Sequence, residues 1–244
     1  MAWEAYLTTV FRLVERLRTD EKDAIEQAAE WVAESVRSGG VIHAFGSGHS
    51  HMVAEEAYAR AGGLASVDAI LDPNLGFTSV VHSSLLERTE GYAAALFSSL
   101  DVRGEDVMIV ISTSGINPVA IEMAEHARAR GCRVICLTSA SEYARIASRH
   151  SSGKRLADVA DLVVDLHVPR GDAVHALDDG VEVGGASTIL GATAINAIVV
   201  EAAALLLDSG TPPPIFRSMN LEGGDEVNAQ LVERYRRRLP NLKV

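Results

Sequence analysis

The sequence contains little cysteine. Only Cys132 and Cys136 occur among its 244 residues, both in the apolar segment GCRVICLTS, which predicts a buried strand. Residues four apart on a strand share a face but lie too far apart to form a disulfide easily, and this spacing is not that of a metal site. We therefore expect two reduced cysteines in the core of an intracellular protein.

Long hydrophobic runs are also missing. No apolar run reaches the roughly 18 residues that predict a membrane span. The longest candidate, residues 192–207, is interrupted by Asn196 and Glu201. The opening segment MAWEAYLTTVFRLVERL has an amphipathic helical pattern with acidic residues, unlike a secretory signal. These features predict a cytoplasmic location and no membrane partner.

Positive charge is scarce as well. The chain has 22 Lys and Arg against 33 Asp and Glu, which gives a formal net charge of −11. Nucleic acids and anionic membranes bind basic surfaces, so we expect neither as a partner. A small phosphorylated ligand is compatible with this charge, because the backbone N–H groups of a helix N-terminus hold phosphate without a net positive charge.

What the sequence does have is an alternation of helical segments and apolar strands. Hydrophobic residues make up 48% of the chain, enough for the core of one large domain. Residues 1–37 predict two helices with a break near residues 18–20. The apolar strands that follow are GVIHAFG, ASVDAIL, DVMIVIS, CRVICLTS and ADLVVDLHV.

Apolar strands separated by helices predict a parallel sheet that is covered on both faces. We expect an α/β fold with three αβα layers and a five-stranded parallel sheet over residues 38–210. The N-terminal helical segment, residues 1–37, is expected to pack on this domain or on a dimer partner. Residues 211–244 predict an irregular C-terminal extension, and the segment SSLLERTEGYAAALFSSL predicts one long helix. Ligands of such folds bind at the carboxyl ends of the strands.

Three strand-to-helix turns are rich in small hydroxyl residues. The first loop, residues 46–50, reads GSGHS, the second loop, residues 112–118, reads STSGINP, and the third is Thr138-Ser139. Glycines let the backbone approach an anion closely, and hydroxyl groups can donate to phosphate oxygens. Neither a dinucleotide fingerprint nor a P-loop is present, because His51 replaces the third glycine and no GK[ST] occurs.

A capped helix start explains any one of these loops equally well. Two such loops at neighbouring strand ends favour a phosphate site instead. The predicted phosphate-binding residues are Ser47, Gly48, Ser50, Ser112, Thr113, Ser114, Asn117 and Ser139.

The combination of GSGHS after one strand and STSGINP after another resembles the sugar isomerase (SIS) domain family. Ser50 matches the serine of that family's first loop, residues 112–114 match its second loop, and Asn117 stands where the family usually has threonine. The resemblance covers roughly residues 25–210. It implies a three-layer αβα domain that binds a phosphorylated sugar, without a cofactor, in a homodimer or higher homo-oligomer whose partner subunit completes the site.

Closer resemblances concern subgroups of this family. HSH in the first loop, LERTEGY and RHSSGKR are similar to bacterial phosphoheptose-isomerase-like SIS proteins. Residues 182–188, EVGGAST, are similar to a stretch of N-acetylmuramic acid 6-phosphate etherase, and this likeness implies site roles for Glu182 and Ser187. Glu87 lies at about the position of an acid used by that etherase and by glucosamine-6-phosphate synthase. Arg60 departs from the pattern, because the resemblance implies a catalytic glutamate at this position in the etherase and in phosphoheptose isomerase.

Enzymes of this family mostly remove a proton next to a sugar carbonyl, which requires a base and an acid. Glu87 is the first candidate for the base, with a solvated helical acid as the competing interpretation. His49 is a candidate for the acid or for a donor to the phosphate or a sugar hydroxyl, with a surface or packing role as the competing interpretation. We expect no metal, because His49, His51 and His82 lack a recognised ligand spacing.

The leading functional hypothesis is an enzyme that acts on an amino-sugar 6-phosphate such as N-acetylglucosamine 6-phosphate. The reaction would be proton abstraction at C2 followed by elimination, which makes the protein a lyase of the dehydratase or etherase type. The etherase-like residues 182–188 motivate this choice. The alternatives are an aldose–ketose sugar-phosphate isomerase and a sugar-phosphate sensor without catalysis.

Overall fold

The computed structural model describes residues 1–77, 79–239 and 242. Two helices open the chain, α1 at Ala2–Asp20 and α2 at Lys22–Arg37. The break between them falls at Glu21, beside the predicted position, where the backbone leaves helical geometry with φ −105° and ψ 12°. Both helices contribute apolar residues to the core, among them Leu17 and Val32.

Five strands form one parallel sheet in the order β2-β1-β3-β4-β5. They are β1 at Ile42–Gly46, β2 at Val67–Ile70, β3 at Val107–Ile111, β4 at Arg133–Thr138 and β5 at Leu162–Asp165. The predicted five-stranded parallel sheet is therefore confirmed. The chain order reverses between β1 and β3, which is the kind of switch point where open α/β sheets bind ligands.

Helices cover both faces of the sheet. Helix α2, α3 at His49–Ala57 and α9 at Ser187–Asp208 bury their apolar residues in one cluster with inward side chains of the strands. On the opposite face lie α5 at Tyr92–Phe97, α6 at Pro118–Ala129 and α8 at Leu156–Val159. The three αβα layers expected from the sequence are present. The short helix α7, Ala140–Tyr143, follows β4.

Helix α9 is long and apolar enough to cross a membrane by length and composition alone. In the most apolar part of α9, 44% of the residues are buried, and the helix packs between α2 and α3. Helices in the core of a folded domain pass the same length and composition test, so this feature is weak evidence for a membrane span.

The segment expected to form one long helix is instead two short helices, α4 at Val80–Leu86 and α5. The chain turns between them at Gly91, whose φ of +84° belongs to the left-handed region that glycine adopts without cost. The Gly91 N–H donates to both carboxylate oxygens of Glu122 on α6, at 2.8 and 3.0 Å. A contact from a distant helix thus fixes a break that apolar periodicity does not reveal.

Two further elements were not expected from the sequence. Strands β6 at Ala173–Ala176 and β7 at Glu182–Gly185 form an antiparallel hairpin apart from the main sheet. The C-terminal extension contains helix α10 at Gly224–Tyr235, so it is less irregular than expected. Tyr235 packs with Val41 and Phe216 in a small separate cluster. This contact with a residue at the start of β1 explains why the extension folds against the domain.

A buried charge network lies at the amino ends of the central strands. The His43 ring on β1 stands between two carboxylates, with Nδ1 3.2 Å from Asp68 and Nε2 3.3 Å from Asp106. Arg238, just after α10, donates to Asp106 at 2.7 Å. Burial alone lowers the pKa of His43, but the hydrogen bonds and charges of the two carboxylates outweigh it and raise this pKa.

Replacing His43 with Gln removes a positive charge from between two buried carboxylates. Because the pKa of His43 is raised by folding, its charge stabilises the fold fully below the unfolded value of about 6.5 and this stabilisation is lost as pH rises through the folded value. We expect His43→Gln to lower the free energy of unfolding by about 3 kcal/mol at pH 5.5 and by less at pH 9. Urea titrations at both pH values measure the difference.

The matched control is His82→Gln, at an exposed histidine on α4. It should leave the free energy of unfolding unchanged at both pH values. An equal loss of stability for His43→Gln at pH 5.5 and pH 9 would contradict a charged His43.

Candidate functional site

The first and second loops leave the sheet side by side. Strands β1 and β3 are parallel neighbours, and Gly46 pairs with Ile111 at the last position of both strands. The first loop leads into α3 at His49, and the second leads into α6 at Pro118. Both helices therefore begin at the same edge of the sheet, where the positive ends of their dipoles favour an anion.

The first loop turns tightly at its start. A Cβ at Gly46 would lie 2.4 Å from the backbone oxygen of Ser50, so only glycine lets the start of α3 come this close to the end of β1. The Gly48 N–H donates to the backbone oxygen of Leu75 at 2.8 Å. This amide is therefore occupied, whereas the Ser50 hydroxyl has no hydrogen-bond partner within the described residues.

The second loop is fixed by its own backbone. The Ser112 hydroxyl accepts from the N–H of Gly115 at 3.2 Å, and the backbone oxygen of Thr113 accepts from the N–H of Ser139 at 2.9 Å. Gly115 has φ +63° and packs against Thr138, which excludes a larger residue. The hydroxyls of Thr113 and Ser114 make no hydrogen bond to any residue that the structure describes, so both are available to a ligand.

Glu87 contacts both loops. The Ser47 hydroxyl of the first loop donates to the Glu87 carboxylate at 2.9 Å, and the Val119 N–H at the start of α6 donates to the backbone oxygen of Glu87 at 3.2 Å. Glu87 is half-buried and immediately follows α4, where the expected long helix ends. The break in that helix thus brings a carboxylate beside both hydroxyl-rich loops.

Arg149 is a neighbour of the second loop that the sequence analysis missed. Its guanidinium donates to the Asn117 side-chain oxygen at 2.7 Å, and its backbone N–H donates to the oxygen of Ile116 at 2.9 Å. Glu90 holds the same segment by accepting from the N–H and hydroxyl of Ser151, and these bonds keep the pKa of Glu90 below its usual value. Arg149 is the first residue of the basic segment RHSSGKR, which the sequence analysis noted only for its resemblance to SIS proteins.

Comparison with known proteins identifies the family. The SIS domain profile matches residues 5–139, which is more than half of the chain. This chain belongs to the SIS domain family. It is 43% identical to the UPF0309 protein lin2794 of Listeria innocua over 97% of both chains, and 40% identical to the UPF0309 protein SCO4393 of Streptomyces coelicolor over 96% of this chain and 95% of that one.

Solved SIS structures share the fold. Phosphoheptose isomerase from Neisseria gonorrhoeae superposes with a TM-score of 0.56 and 20% identity, covering 82% of this chain and 96% of that one. A phosphoheptose isomerase from Francisella tularensis gives the same TM-score at 16% identity, covering 82% and 95%. The resemblance to phosphoheptose-isomerase-like SIS proteins is confirmed at the level of the fold.

Three further residues of the expected site differ in their contacts, and within the described residues only Ser139 is hydrogen-bonded to this SIS loop pair, through its backbone N–H to Thr113. Ser139 is fully buried, and its hydroxyl accepts from the Val168 N–H at 3.1 Å, so it stabilises the fold. Ser187 donates its N–H and hydroxyl to Asp172, whose carboxylate already occupies the N-terminus of α9. Glu182 is exposed on the β6–β7 hairpin, which packs against α1. Within the described residues, neither Glu182 nor Ser187 forms a hydrogen bond to the two loops.

The remaining polar residues near α3 have other partners. His49 is exposed, and its ring meets the Phe77 ring edge-on with centroids 4.7 Å apart. Arg60, which departs from the pattern of the related enzymes, forms an ion pair with Glu56. Glu56 also accepts from the side chain of Asn196 on α9 at 3.1 Å.

One cluster in the described part of the chain, formed by Glu90, Glu122 and His150, brings possible metal-ligand atoms within 4.8 Å of one another. Glu90 already accepts two hydrogen bonds from Ser151, and Glu122 accepts from Gly91. These hydrogen bonds connect residues 148–152 to the turn before α5, which accounts for the cluster without a metal ion.

Gly46→Ala tests how closely α3 must approach β1. The added Cβ would clash with the Ser50 backbone, and overpacking of this kind costs about 1–3 kcal/mol. We expect the free energy of unfolding to fall by that amount in a urea titration. Gly104→Ala is the control, because a Cβ there would make an ordinary contact 3.5 Å from the Arg130 oxygen. Equal stability of the two variants would refute the close approach.

Proposed function

We propose that this SIS protein is an enzyme that binds the phosphate of a phosphorylated sugar between the first and second loops and uses Glu87 as its base. The main support for this proposal is a pair of hydrogen bonds. Ser47 of the first loop donates to the Glu87 carboxylate, and the Val119 N–H at the start of α6 donates to the Glu87 backbone oxygen. A substrate whose phosphate lies between the loops would therefore have a carboxylate beside its sugar carbons. Such positioning of the reacting groups supplies much of the rate of an enzyme.

Phosphate binding in the proposal relies on neutral donors and one cation. Within the described residues, the hydroxyls of Ser50, Thr113 and Ser114 have no hydrogen-bond partner. Together with the N-termini of α3 and α6 they favour an anion site despite the net charge of −11. Arg149, held at Asn117, adds a guanidinium that matches the geometry of phosphate.

The proposed reaction is elimination from an N-acetylated amino-sugar 6-phosphate in its open-chain form. Glu87 takes the proton from C2, the electron pair of that bond forms the C2=C3 double bond, and the C3–O bond breaks. The oxygen leaves as water with a proton from His49, the exposed histidine that opens α3. Both groups flank the first loop, and elimination uses a base and an acid together.

Isomerisation is the second candidate reaction, favoured by the names of the structural neighbours, which include two phosphoheptose isomerases. It would begin with the same proton abstraction by Glu87 and would return the proton to the neighbouring carbon. Elimination loses water and isomerisation conserves mass, so mass spectrometry of the product distinguishes them.

A sensor without catalysis is the third candidate. Sugar-phosphate binding that persists in Glu87→Gln, together with a wild-type protein that neither converts the sugar nor exchanges its C2 proton, would favour this role.

We also propose a homodimer. Trp3, Leu7 and Phe11 form an exposed apolar stripe on α1, and Val200 and Leu207 are exposed on α9, at 68% and 65%. Exposed apolar surface of this extent marks an interaction site. A second copy of the chain is the occupant that would cover the same helices on both subunits in one symmetric contact.

Location in the cytoplasm completes the proposal. Cys132 and Cys136 are both free and buried. Burial raises the pKa of the Cys132 thiol to about 12, so this group stays protonated and unreactive at neutral pH. Free structural thiols of this kind are typical of reducing compartments.

Glu87→Gln is the test of the base. We expect kcat on N-acetylglucosamine 6-phosphate to fall by about 10²- to 10⁴-fold, because the amide cannot accept the C2 proton, while the dissociation constant stays near that of the wild type. NMR in D2O follows exchange at C2, and mass spectrometry follows loss of water. Glu226→Gln, at an exposed acid on α10, is the control and should retain full activity. Full activity of Glu87→Gln would exclude Glu87 as the base.

Phe11→Glu is the test of the dimer. A charge placed in an apolar contact between subunits would oppose association. Size-exclusion chromatography with light scattering should show a dimer for the wild type and a monomer for Phe11→Glu. Leu221→Glu is the matched control, because Leu221 in the C-terminal segment is as exposed as Phe11, at 67%. A wild-type monomer would reject the proposed interface.

A further inference from the structure

A pocket of about 530 Å³ lies beside the first loop, between α3 and the segment that follows β2. Its lining includes His51, Met52, Glu55, Leu71, Gly76 and Phe77. The pocket adjoins the proposed phosphate site, because the Gly48 N–H donates to Leu75 in the segment after β2 and the His49 ring meets the Phe77 ring. Its size falls within the range of small-molecule sites.

The polar feature of this pocket is the His51 ring, whose side chain is only 9% exposed. Nδ1 is buried without a hydrogen-bond partner in the described chain. Nε2 lies 3.7 Å from the Glu55 carboxylate, which is beyond hydrogen-bond distance. Because Nδ1 has no acceptor in the described chain, we assign the tautomer that carries its proton on Nε2. Both Glu55 and Gly76, the neighbours of Nε2, line the pocket, so this donor faces it.

Beside His51 and Glu55, the pocket is lined by apolar side chains. The side chains of Met52, Leu71 and Phe77 are large and apolar, and they remain 43%, 38% and 48% exposed. Three apolar side chains around one unpaired donor favour a group that has both an apolar part and a hydrogen-bond acceptor. A purely apolar ligand would leave the Nε2–H unpaired and would lose free energy by doing so.

We propose that this pocket holds the N-acyl substituent of the sugar phosphate. The acyl carbonyl accepts from His51 Nε2–H, and the acyl methyl group packs against Met52 and Phe77. This inference rests on the proposed function, because the phosphate must first be held by the neighbouring loops. It assigns specificity for N-acylated over unsubstituted sugar phosphates to a pocket on the β2 side of the first loop.

Calorimetric titration with three sugars tests the inference. The ligands are N-acetylglucosamine 6-phosphate, glucosamine 6-phosphate and glucose 6-phosphate. We expect the wild type to bind the N-acetyl compound at least tenfold more tightly than the other two. Met52→Ala and Phe77→Ala should each reduce that preference several-fold and leave the affinity for glucose 6-phosphate unchanged. Met219→Ala is the matched control, because Met219 is exposed in the C-terminal segment, away from the lining of this pocket.

The outcomes separate this inference from the proposed function. Equal binding of all three sugars would overturn the acyl pocket and leave phosphate binding in place. Tighter binding of glucosamine 6-phosphate would show that the pocket holds the sugar ammonium group beside Glu55, and this result would also overturn the acyl pocket. A preference for the N-acetyl compound that is unchanged in Met52→Ala and Phe77→Ala would show that the preference arises outside this pocket and would overturn the inference. Absence of binding by all three sugars would reject the proposed function, and the inference with it.

Discussion

The parallel pairing of β1 with β3 is the constraint on which the candidate site depends. The two strands run in one direction and end in register at Gly46 and Ile111, so both hydroxyl-rich loops leave the sheet at one edge. Helices α3 and α6 then begin there, and the positive ends of their dipoles favour an anion. A chain with a net charge of −11 can therefore form a phosphate site without a basic surface. A shift of register by one residue would turn every strand side chain to the other face.

The second determinant is the turn that separates α4 from α5. The Gly91 N–H donates a hydrogen bond to Glu122 on α6. Glu87 accepts two further hydrogen bonds, from the Val119 N–H at its backbone oxygen and from the Ser47 hydroxyl at its carboxylate. These contacts, rather than helical geometry, fix the position of the candidate base. The same turn carries Glu90, which holds the segment that brings the Arg149 guanidinium to the second loop. The candidate base and the Arg149 guanidinium are thus positioned by one short stretch of chain.

The amino edge of the sheet carries a buried charge network, and the carboxyl edge carries the candidate site. At the amino edge, buried His43 lies between Asp68 and Asp106, and Arg238 connects this network to the C-terminal segment. At the carboxyl edge, the hydroxyls of Ser50, Thr113 and Ser114 make no hydrogen bond within the described residues, and a pocket lies beside Phe77. Fully paired charges stabilise a fold, whereas unpaired donors are what a ligand requires. The separation lets the protein keep free donors at one end without losing stability at the other.

The sequence by itself determined the five parallel strands, the layers of helices and the two loops, because apolar runs and glycine-rich turns are local patterns. Only the tertiary structure decided which hydroxyls are free and where helices stop. Hydrogen bonds between residues distant in the sequence determine both features. They are the bonds of Ser187 with Asp172, Ser139 with Val168, Gly91 with Glu122 and Arg149 with Asn117. A hydrogen bond between distant residues leaves no periodic signal, so the sequence named Glu87 but could not place it.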